Sequence, residues 1–481
     1  LCWAIGLAGA ALLYGQAITG DLTINVTDPN GATVAAAKLE LTNIGEGTTR
    51  PGSTNDTGTF IFGQLKPGSY RLKVSAPGFQ EQQIDNITVQ LGQRARIEAR
   101  LTLGEVSQSV TVSADAATLL NAESSTQGQV MQSKPIAELP LNGRNFVQLA
   151  QLATGSSPIL AGASPSTSWT GRSDLTISVA GLRESNVSFL VNGIETRNSR
   201  FGSAGFRPSV DAIQEFNVQR SSFTAEYGKS SAIINTAIKS GTNDLHMVAF
   251  DLVRNKEFDA NNFFANSAGQ DRPAFSQNNF GATASGPVVI PKLYNGRNRT
   301  FFLFNYEGFR ERQGISATGL YPSAGQLQGN LADNGAGTGL FPTSSAFCQA
   351  NPGSQHCVNV IDPLSGQAFP NNVIPASRLD PITQKAVAFT PIPNVPVSGS
   401  ALSFPSFNTF GAPKRLTDWD QYNVRIDHRI TDKDFIYGSF SNSDESQLSP
   451  ALRFLGGDVF PMSDRLWTAT YVRTITPSIV N

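Results

Sequence analysis

The chain has 481 residues, room for several domains, and a net charge of −1 from 36 Lys+Arg against 37 Asp+Glu. No basic field exists to draw a phosphate backbone, so nucleic acid is not an expected partner. Charged residues make up only 15% and glycines number 44, a mixture that favours a β-rich protein with many turns and polar but uncharged faces.

Residues 1–17, "LCWAIGLAGAALLYGQA", are apolar and uncharged, with Gly15 and Ala17 at the −3 and −1 places of a signal-peptidase site. They read as the remnant of an export signal; the alternative is a buried N-terminal strand. The initiator Met and charged n-region are missing, so the chain is expected to be a fragment at this end. Cys2 is a lipoprotein cysteine only if upstream residues complete that motif. No later run reaches the roughly 18 apolar residues of a membrane helix, so a membrane protein with this sequence must be a barrel.

From residue 20 to 103, short alternating strands follow one another with turns between them. "LTINV" carries Leu22, Ile24 and Val26 on one face before the turn "DPNG"; "KLELTN", the turn "NDTG" and "TFIF" follow. "SYRLKVSAPGF" aligns Tyr70, Leu72 and Val74, and "RARIEARLTL" aligns Ile97, Ala99, Leu101 and Leu103. Seven or so strands at this spacing predict a β-sandwich. The stretch "TNDTGTFIFGQLKPGSYRLKVSAPGFQ" resembles the carboxypeptidase regulatory-like domain, a transthyretin-like sandwich found ahead of many outer-membrane receptors. The resemblance implies a spacer or docking module, not catalysis. The three histidines, His246, His356 and His428, lie outside it, and none opens an H-x-x-E pair for zinc. Such sandwiches are sometimes grouped with carbohydrate-binding-like folds, but no aromatic platform for a sugar is evident here.

Residues 105–240 read as a mixed α+β domain. "KPIAELPLNGRNFVQLAQLATG" predicts short amphipathic helices through Ile136, Leu139, Leu149 and Leu152, broken at Pro140 and Asn142-Gly143. "SFLVNGIETRN" predicts a tight hairpin, because Asn192-Gly193 suits the two positive-φ positions of a type I′ turn. "PSVDAIQEFNVQRSSFTAEYGKSSAIINTAIKSGTN" reads as a helix, a strand, a Gly-marked loop and another strand. In order, "LPLNGRNF", "SVAGLRESNVSFLVNGIE", "PSVDAIQEFNVQ" and "FTAEYGKSSAIINTAIKSGTN" resemble the plug of TonB-dependent outer-membrane receptors, in the Oar-like branch that carries an N-terminal regulatory-like sandwich. That resemblance implies that the hairpin lies inside a barrel lumen and that the TonB complex of the periplasm is a partner. It also implies that residues just before the plug serve as the TonB box: Glu105, Ser109, Val110, Thr111, Val112 and Ser113. An extended segment there can add a strand to TonB. The family places an acid close before the valines, whereas Ser109 occupies that place here, so a plain connecting strand stays open.

From residue 241 to 481, strands alternate as in a lipid-facing wall. "YNVRIDHRI" points Tyr422, Val424, Ile426 and Ile430 one way and Asn423, Arg425, Asp427 and Arg429 the other. "FGATAS" sets Phe280, Ala282 and Ala284 against Gly281, Thr283 and Ser285; "LWTATYVRT" sets Trp467, Ala469 and Tyr471 against Thr468 and Thr470. Strands are expected near 244–254, 277–290, 299–312, 417–430, 434–443 and 464–476. Their links run long, short, very long, short, long, the alternation of external loops and periplasmic turns in outer-membrane barrels. The longest link, 313–416, holds 12 of the 27 prolines and is too long for an inert turn. Cys348 and Cys357 within it are close enough in chain for a disulfide in an oxidising compartment; two free thiols are the alternative. Plugged barrels use 22 strands, so about six predict a barrel that continues past this sequence.

The overall expectation is a mainly β fold: a transthyretin-like sandwich, an α+β plug and the first strands of a transmembrane β-barrel in the outer membrane of a Gram-negative bacterium. The function expected is a TonB-dependent receptor that binds an unidentified extracellular solute at its external loops and imports it; the alternative is a surface adhesion or secretion-linked protein. No clustered His/Asp/Ser set, metal-ligand spacing or phosphate-cradling glycine loop is present, so neither enzyme activity nor a cofactor is expected.

Overall fold

The computed structural model describes residues 19–104, 109–113, 127–139, 141–158, 177–183, 186–198, 204–221, 230, 232–261, 263, 266, 271–315, 317–395, 402–450, 457–476 and 479–480. The expected export segment 1–17, Pro140 and Glu105 lie outside these residues.

The first eight strands are β1 Gly20–Thr27, β2 Lys38–Asn43, β3 Thr49–Ser53, β4 Thr59–Leu65, β5 Gly68–Ser75, β6 Glu81–Val89, β7 Arg94–Arg100 and β8 Ser109–Ser113. They form two facing sheets, in the orders β4-β1-β7 and β3-β2-β5-β6-β8. The alternating apolar residues create this sandwich: Leu22, Ile24 and Val26 meet Leu39, Leu41, Leu72 and Val74 in one sealed core. Each such side chain contributes about 1.5–3 kcal/mol on burial. Leu103, expected on that face, is exposed, because β7 has ended before it. Pro51, which has no N–H to give, falls in the edge strand β3, where a donor is dispensable.

The middle segment adds β9 Gln127–Gln132, β10 Ser156–Pro158, β11 Ile177–Val179, β12 Val187–Val191, β13 Ile194–Glu195, β14 Ile213–Ser221 and β15 Ala232–Ile238. Five of these make a mixed sheet in the order β13-β12-β15-β14-β9, with β12 parallel to β15. Every residue of β12 and β15 is buried, as expected for central strands covered on both faces. Phe189, Phe216 and Ile234 pack on Ile136, Phe146 and Leu149 of two short helices, Ser133–Glu138 and Val147–Ala150. Leu139 and Leu152, expected in that face, are exposed, because both helices stop before reaching them. The helix expected at "PSVDAIQ" is a single 3₁₀ turn, Val210–Ala212.

The remaining strands are β16 His246–Asn255, β17 Phe275–Pro287, β18 Val289–Ile290, β19 Tyr294–Asn295, β20 Thr300–Gly314, β21 Ala317–Gly319, β22 Thr409–Gly411, β23 Lys414–Arg429, β24 Asp434–Ser449, β25 Asp458–Thr476 and β26 Ile479–Val480. Seven form one antiparallel sheet in the order β16-β17-β20-β23-β24-β25-β26, which is open within the described residues. β24 and β25 run further than their sequence pattern suggested, up to Ser449 and from Asp458, so the expected long link between them is shorter, at the end opposite the 430–433 turn. The pattern fades there because the end of β24 is polar on both faces and β25 starts in an unbroken apolar run, Val459 to Met462, that contains Pro461. The link between β17 and β20 carries its own small hairpin, β18 with β19.

Successive residues of these strands face opposite ways. Asn423, Arg425 and Asp427 are buried inward, while Tyr422, Val424 and Ile426 face outward. The register lines up an outward apolar field: Phe304 beside Val424, Phe302 beside Ile426, and Phe440 beside Trp467. A slanted aromatic row bounds it. Phe280 and Tyr306 lie 6.2 Å apart between ring centroids, Tyr422 and Phe440 5.7 Å, and Phe440 and Trp467 3.9 Å. Beyond that row, toward the long links, the same face turns charged, with Arg310 on Asp420 at 2.8 Å and Arg312 on Asp418 at 2.7 Å. Lipid inside an aromatic girdle, and headgroups or water beyond it, is the arrangement of an outer-membrane wall. Ile426→Arg, placed in the apolar field, should lower folding stability in phospholipid vesicles by about 2–4 kcal/mol, measured by urea titration; a substitution without effect would show that this face does not meet lipid.

Candidate functional site

The inward face of the wall is polar, and its partners come from the middle segment. The Arg425 guanidinium grips Asp427 through two nitrogens at 2.8 and 2.9 Å and donates through the third to the Ile238 carbonyl at 2.8 Å. The hairpin between β12 and β13 turns through Asn192 at φ 50° and Gly193 at φ 77°, the two positive values the sequence called for. Asn192 is buried at its tip. Its Nδ2 donates to Ser439 Oγ of the wall at 3.2 Å, and its Oδ1 accepts from the Ile238 N–H at 3.0 Å. Asn305 of the wall donates to Ser209 Oγ at 3.3 Å. The Arg207 guanidinium lies over Trp419, and Arg144, paired with Asp211 at 2.5 Å, lies over Phe250 of β16. The middle segment touches neighbouring strands of the wall through hydrogen bonds, ion pairs and cation–π contacts around one apolar cluster, in which Val191, Phe206, Ala212 and Ile238 meet Leu303 and Leu466 of the wall. Each such hydrogen bond exchanges with water at a net cost of about 0.5–1.5 kcal/mol, so the polar contacts hold the segment in place without welding it.

The sandwich meets both bodies at the end of the wall that carries the short links. Between β6 and β7 the chain turns through Leu91 and Gly92, and both main-chain groups of Leu91 are taken by β14. The Leu91 N–H donates to Glu215 Oε1, and the Leu91 carbonyl accepts from Asn217 Nδ2 at 3.0 Å. Its side chain is wholly buried against Ala237 and Tyr437. Gly92, at φ 70°, is in the region where a Cβ is strained, and a Cβ there would also press on Gln219 Nε2 at 3.0 Å. Nearby, Lys66 bridges Glu46 at 2.6 Å and Asp427 at 3.0 Å, and lies over the Phe435 ring. The Asn243 N–H donates to the Gly45 carbonyl at 2.9 Å and its Nδ2 to the Glu46 carbonyl at 2.7 Å. Burial pushes the Glu215 carboxyl up to about 7, against the opposing pull of the Leu91 N–H.

The other residues singled out in the sequence are dispersed. Ser109–Ser113, β8, lies parallel to β6 as an edge strand, with Ser109 beside Glu81 and Ser113 beside Asp85. Cys348 and Cys357 form a disulfide in the link between β20 and β23, with Cα atoms 5.6 Å apart. That link is organised: Phe341, Phe347, His356 and Phe404 pack ring on ring beside the disulfide. Buried Asn372 and Asn408 each donate to two carbonyls. Arg378 holds the Asp362 carboxyl far below the usual carboxylate range. Among the described residues no group of three or more His, Cys, Asp or Glu is placed to hold a metal ion. The sequence reading missed Lys66, Leu91 and Glu215. Only Glu215 left a trace, an acid at a position where the strand "IQEFNVQ" alternates inward.

Two outcomes follow. Burial in the folded protein pushes the Glu215 carboxyl up to about 7, from an ordinary 4.5 in the unfolded chain, so folding favours the protonated form. Its contribution is fully present below 4.5 and is lost as pH rises through 7. Urea titration followed by near-UV circular dichroism should therefore show the protein unfolding more easily at about pH 8 than at about pH 5, and Glu215→Gln should flatten that dependence. Counting thiols in denatured, unreduced protein should leave Cys348 and Cys357 unlabelled; two labelled thiols in the 348–357 peptide would mean they are free.

The family models agree with this geometry. The outer membrane beta barrel domain family matches residues 237–481, just over half of the chain, and the carboxypeptidase regulatory-like domain matches residues 21–102. The TonB-dependent transporter Oar of Myxococcus xanthus is 23% identical over 308 residues, 60% of this chain and 27% of that protein. The chain thus spans about a quarter of that relative's length. Among solved structures, the outer membrane transporter YddB from Escherichia coli aligns with a TM-score of 0.40 and 11% identity over 72% of this chain and 36% of that one. The siderophore receptor PirA from Acinetobacter baumannii aligns with a TM-score of 0.30 and 15% identity over 72% and 44%. With its lipid-facing wall and aromatic girdle in place, the chain belongs to the outer membrane beta barrel domain family, preceded by a carboxypeptidase regulatory-like domain, and resides in the outer membrane of a Gram-negative bacterium.

Proposed function

We propose that this chain belongs to a TonB-dependent transporter in which the middle segment is the plug. The observation that carries this reading is the seating of the mixed sheet against the wall strands through Asn192–Ser439, Arg425–Ile238 and their neighbours. A filling held by polar contacts can shift when pulled, whereas a hydrophobic seam of the same area would resist. The short links then face the periplasm and the 315–413 link faces outward, where its folded, disulfide-bearing shape suits capture of a solute. β8 is the segment that TonB takes. It is an edge strand, and strand addition to an edge relies on main-chain hydrogen bonds rather than on a particular side chain, so the absence of an acid next to the valines is tolerated.

Deleting residues 105–114 should abolish capture of purified TonB periplasmic domain by the intact protein and stop energised solute uptake, with surface binding unchanged. Capture and uptake that survive the deletion would reject the assignment. The adhesion or secretion-linked reading is favoured by one observation, the exposed apolar residues Leu364, Ile382 and Phe389 on the outward link. It would be supported by altered cell–cell contact in a null strain that grows normally on every nutrient.

A further inference from the structure

The sandwich is more intimately held than a spacer needs. Two separate contacts bind it to the rest of the molecule. In the first, both main-chain groups of Leu91 are engaged by side chains of β14 that are themselves buried, Glu215 and Asn217, and the Leu91 side chain fills a gap between the middle sheet and Tyr437 of the wall. In the second, Lys66 links Glu46 of the sandwich to Asp427 of the wall, and Asp427 is the same carboxylate that Arg425 grips while it holds the Ile238 carbonyl. Sandwich, middle segment and wall thus share one continuous chain of charged and hydrogen-bonded groups. Removing Lys66 leaves Glu46 and Asp427 without that cation.

We propose that the N-terminal sandwich is a latch that closes the short-link mouth of the wall and holds the plug seated, through the Leu91 turn on β14 and the Lys66 bridge to Asp427. The plug half of this statement rests on the reading given above; the docking half does not. β6 pairs with β8 along its edge and runs directly into the Leu91 turn, so tension on β8 loads the latch through one strand as well as the plug through the chain that leads to β9.

The test uses the intact protein in isolated outer membranes and in planar lipid bilayers. A Cβ built on Gly45 lies 3.8 Å from the Thr242 Cβ, within the span of a disulfide. The double variant Gly45→Cys with Thr242→Cys should cross-link on mild oxidation. If the pair stays reduced although each introduced thiol is present, the docked arrangement is wrong and the proposal falls. In bilayers, potassium chloride conductance in sub-denaturing urea reports unseating of the plug without any solute or TonB. Lys66→Glu, and separately Asn217→Ala, should open about ten-fold more often than the parent, as expected when one hydrogen-bonded charge contact or main-chain clamp is lost. The oxidised, cross-linked double variant should open less often, and reduction should restore the parent frequency. A cross-link that forms while conductance is unchanged in the substituted and oxidised forms would overturn the latch. A conductance shift together with uptake that survives deletion of residues 105–114 would leave the latch standing and sink the TonB assignment instead.

Discussion

A single solvent constraint organises this molecule. One face of the long antiparallel sheet meets lipid, which offers no hydrogen bonds, so within the aromatic girdle the polar side chains of the strands turn the other way. That concentrates Asn305, Gln421, Asn423, Arg425 and Asp427 on a face where they are buried and need partners. The middle segment supplies them: the Ile238 carbonyl for Arg425, the Ser209 hydroxyl for Asn305, and the amide of Asn192 for Ser439. The wall and its filling are therefore complementary for the same reason. Buried ion pairs such as Arg425–Asp427 contribute less to stability than to register, since breaking one partner leaves a charge stranded in a dry place.

Much of this was legible in the sequence, and the reasons are local. Period-2 alternation in "YNVRIDHRI" carries the lipid and lumen faces directly, because a strand writes its two environments into alternate residues. Asn192-Gly193 announced its turn because few dipeptides accept two positive φ values. The sandwich faces at Leu22, Tyr70 and Ile97 were equally plain. The ends of elements were not: Leu103, Leu139 and Leu152 fit an apolar pattern but lie just past the last residue of their strand or helix, where their side chains are exposed. Likewise β24 runs on through polar residues, and β25 starts in the apolar run Val459 to Met462, so neither shows a period of two there.

What the sequence concealed is the junction among the three bodies. Leu91 is held by its main chain, which carries no residue-specific signal, and Lys66 looks like any surface lysine in "QLKPGSY". Its two partners, Glu46 and Asp427, are separated from it in chain by 20 and 361 residues. Contacts of that kind depend on how finished domains meet, and single-sequence periodicity describes each domain alone. The junction nevertheless ties the sandwich to both the middle segment and the wall.

The central claim is that the wall has a lipid side and a filled side, and spin-label accessibility along β23 tests it most directly. Single nitroxides at each position from 421 to 428, in the intact protein in vesicles, should alternate. Even positions should relax with oxygen dissolved in lipid, and odd positions should be shielded from both oxygen and a water-soluble nickel chelate because the middle segment covers them. Odd positions as open to the nickel chelate as a free surface, or no alternation at all, would contradict the account.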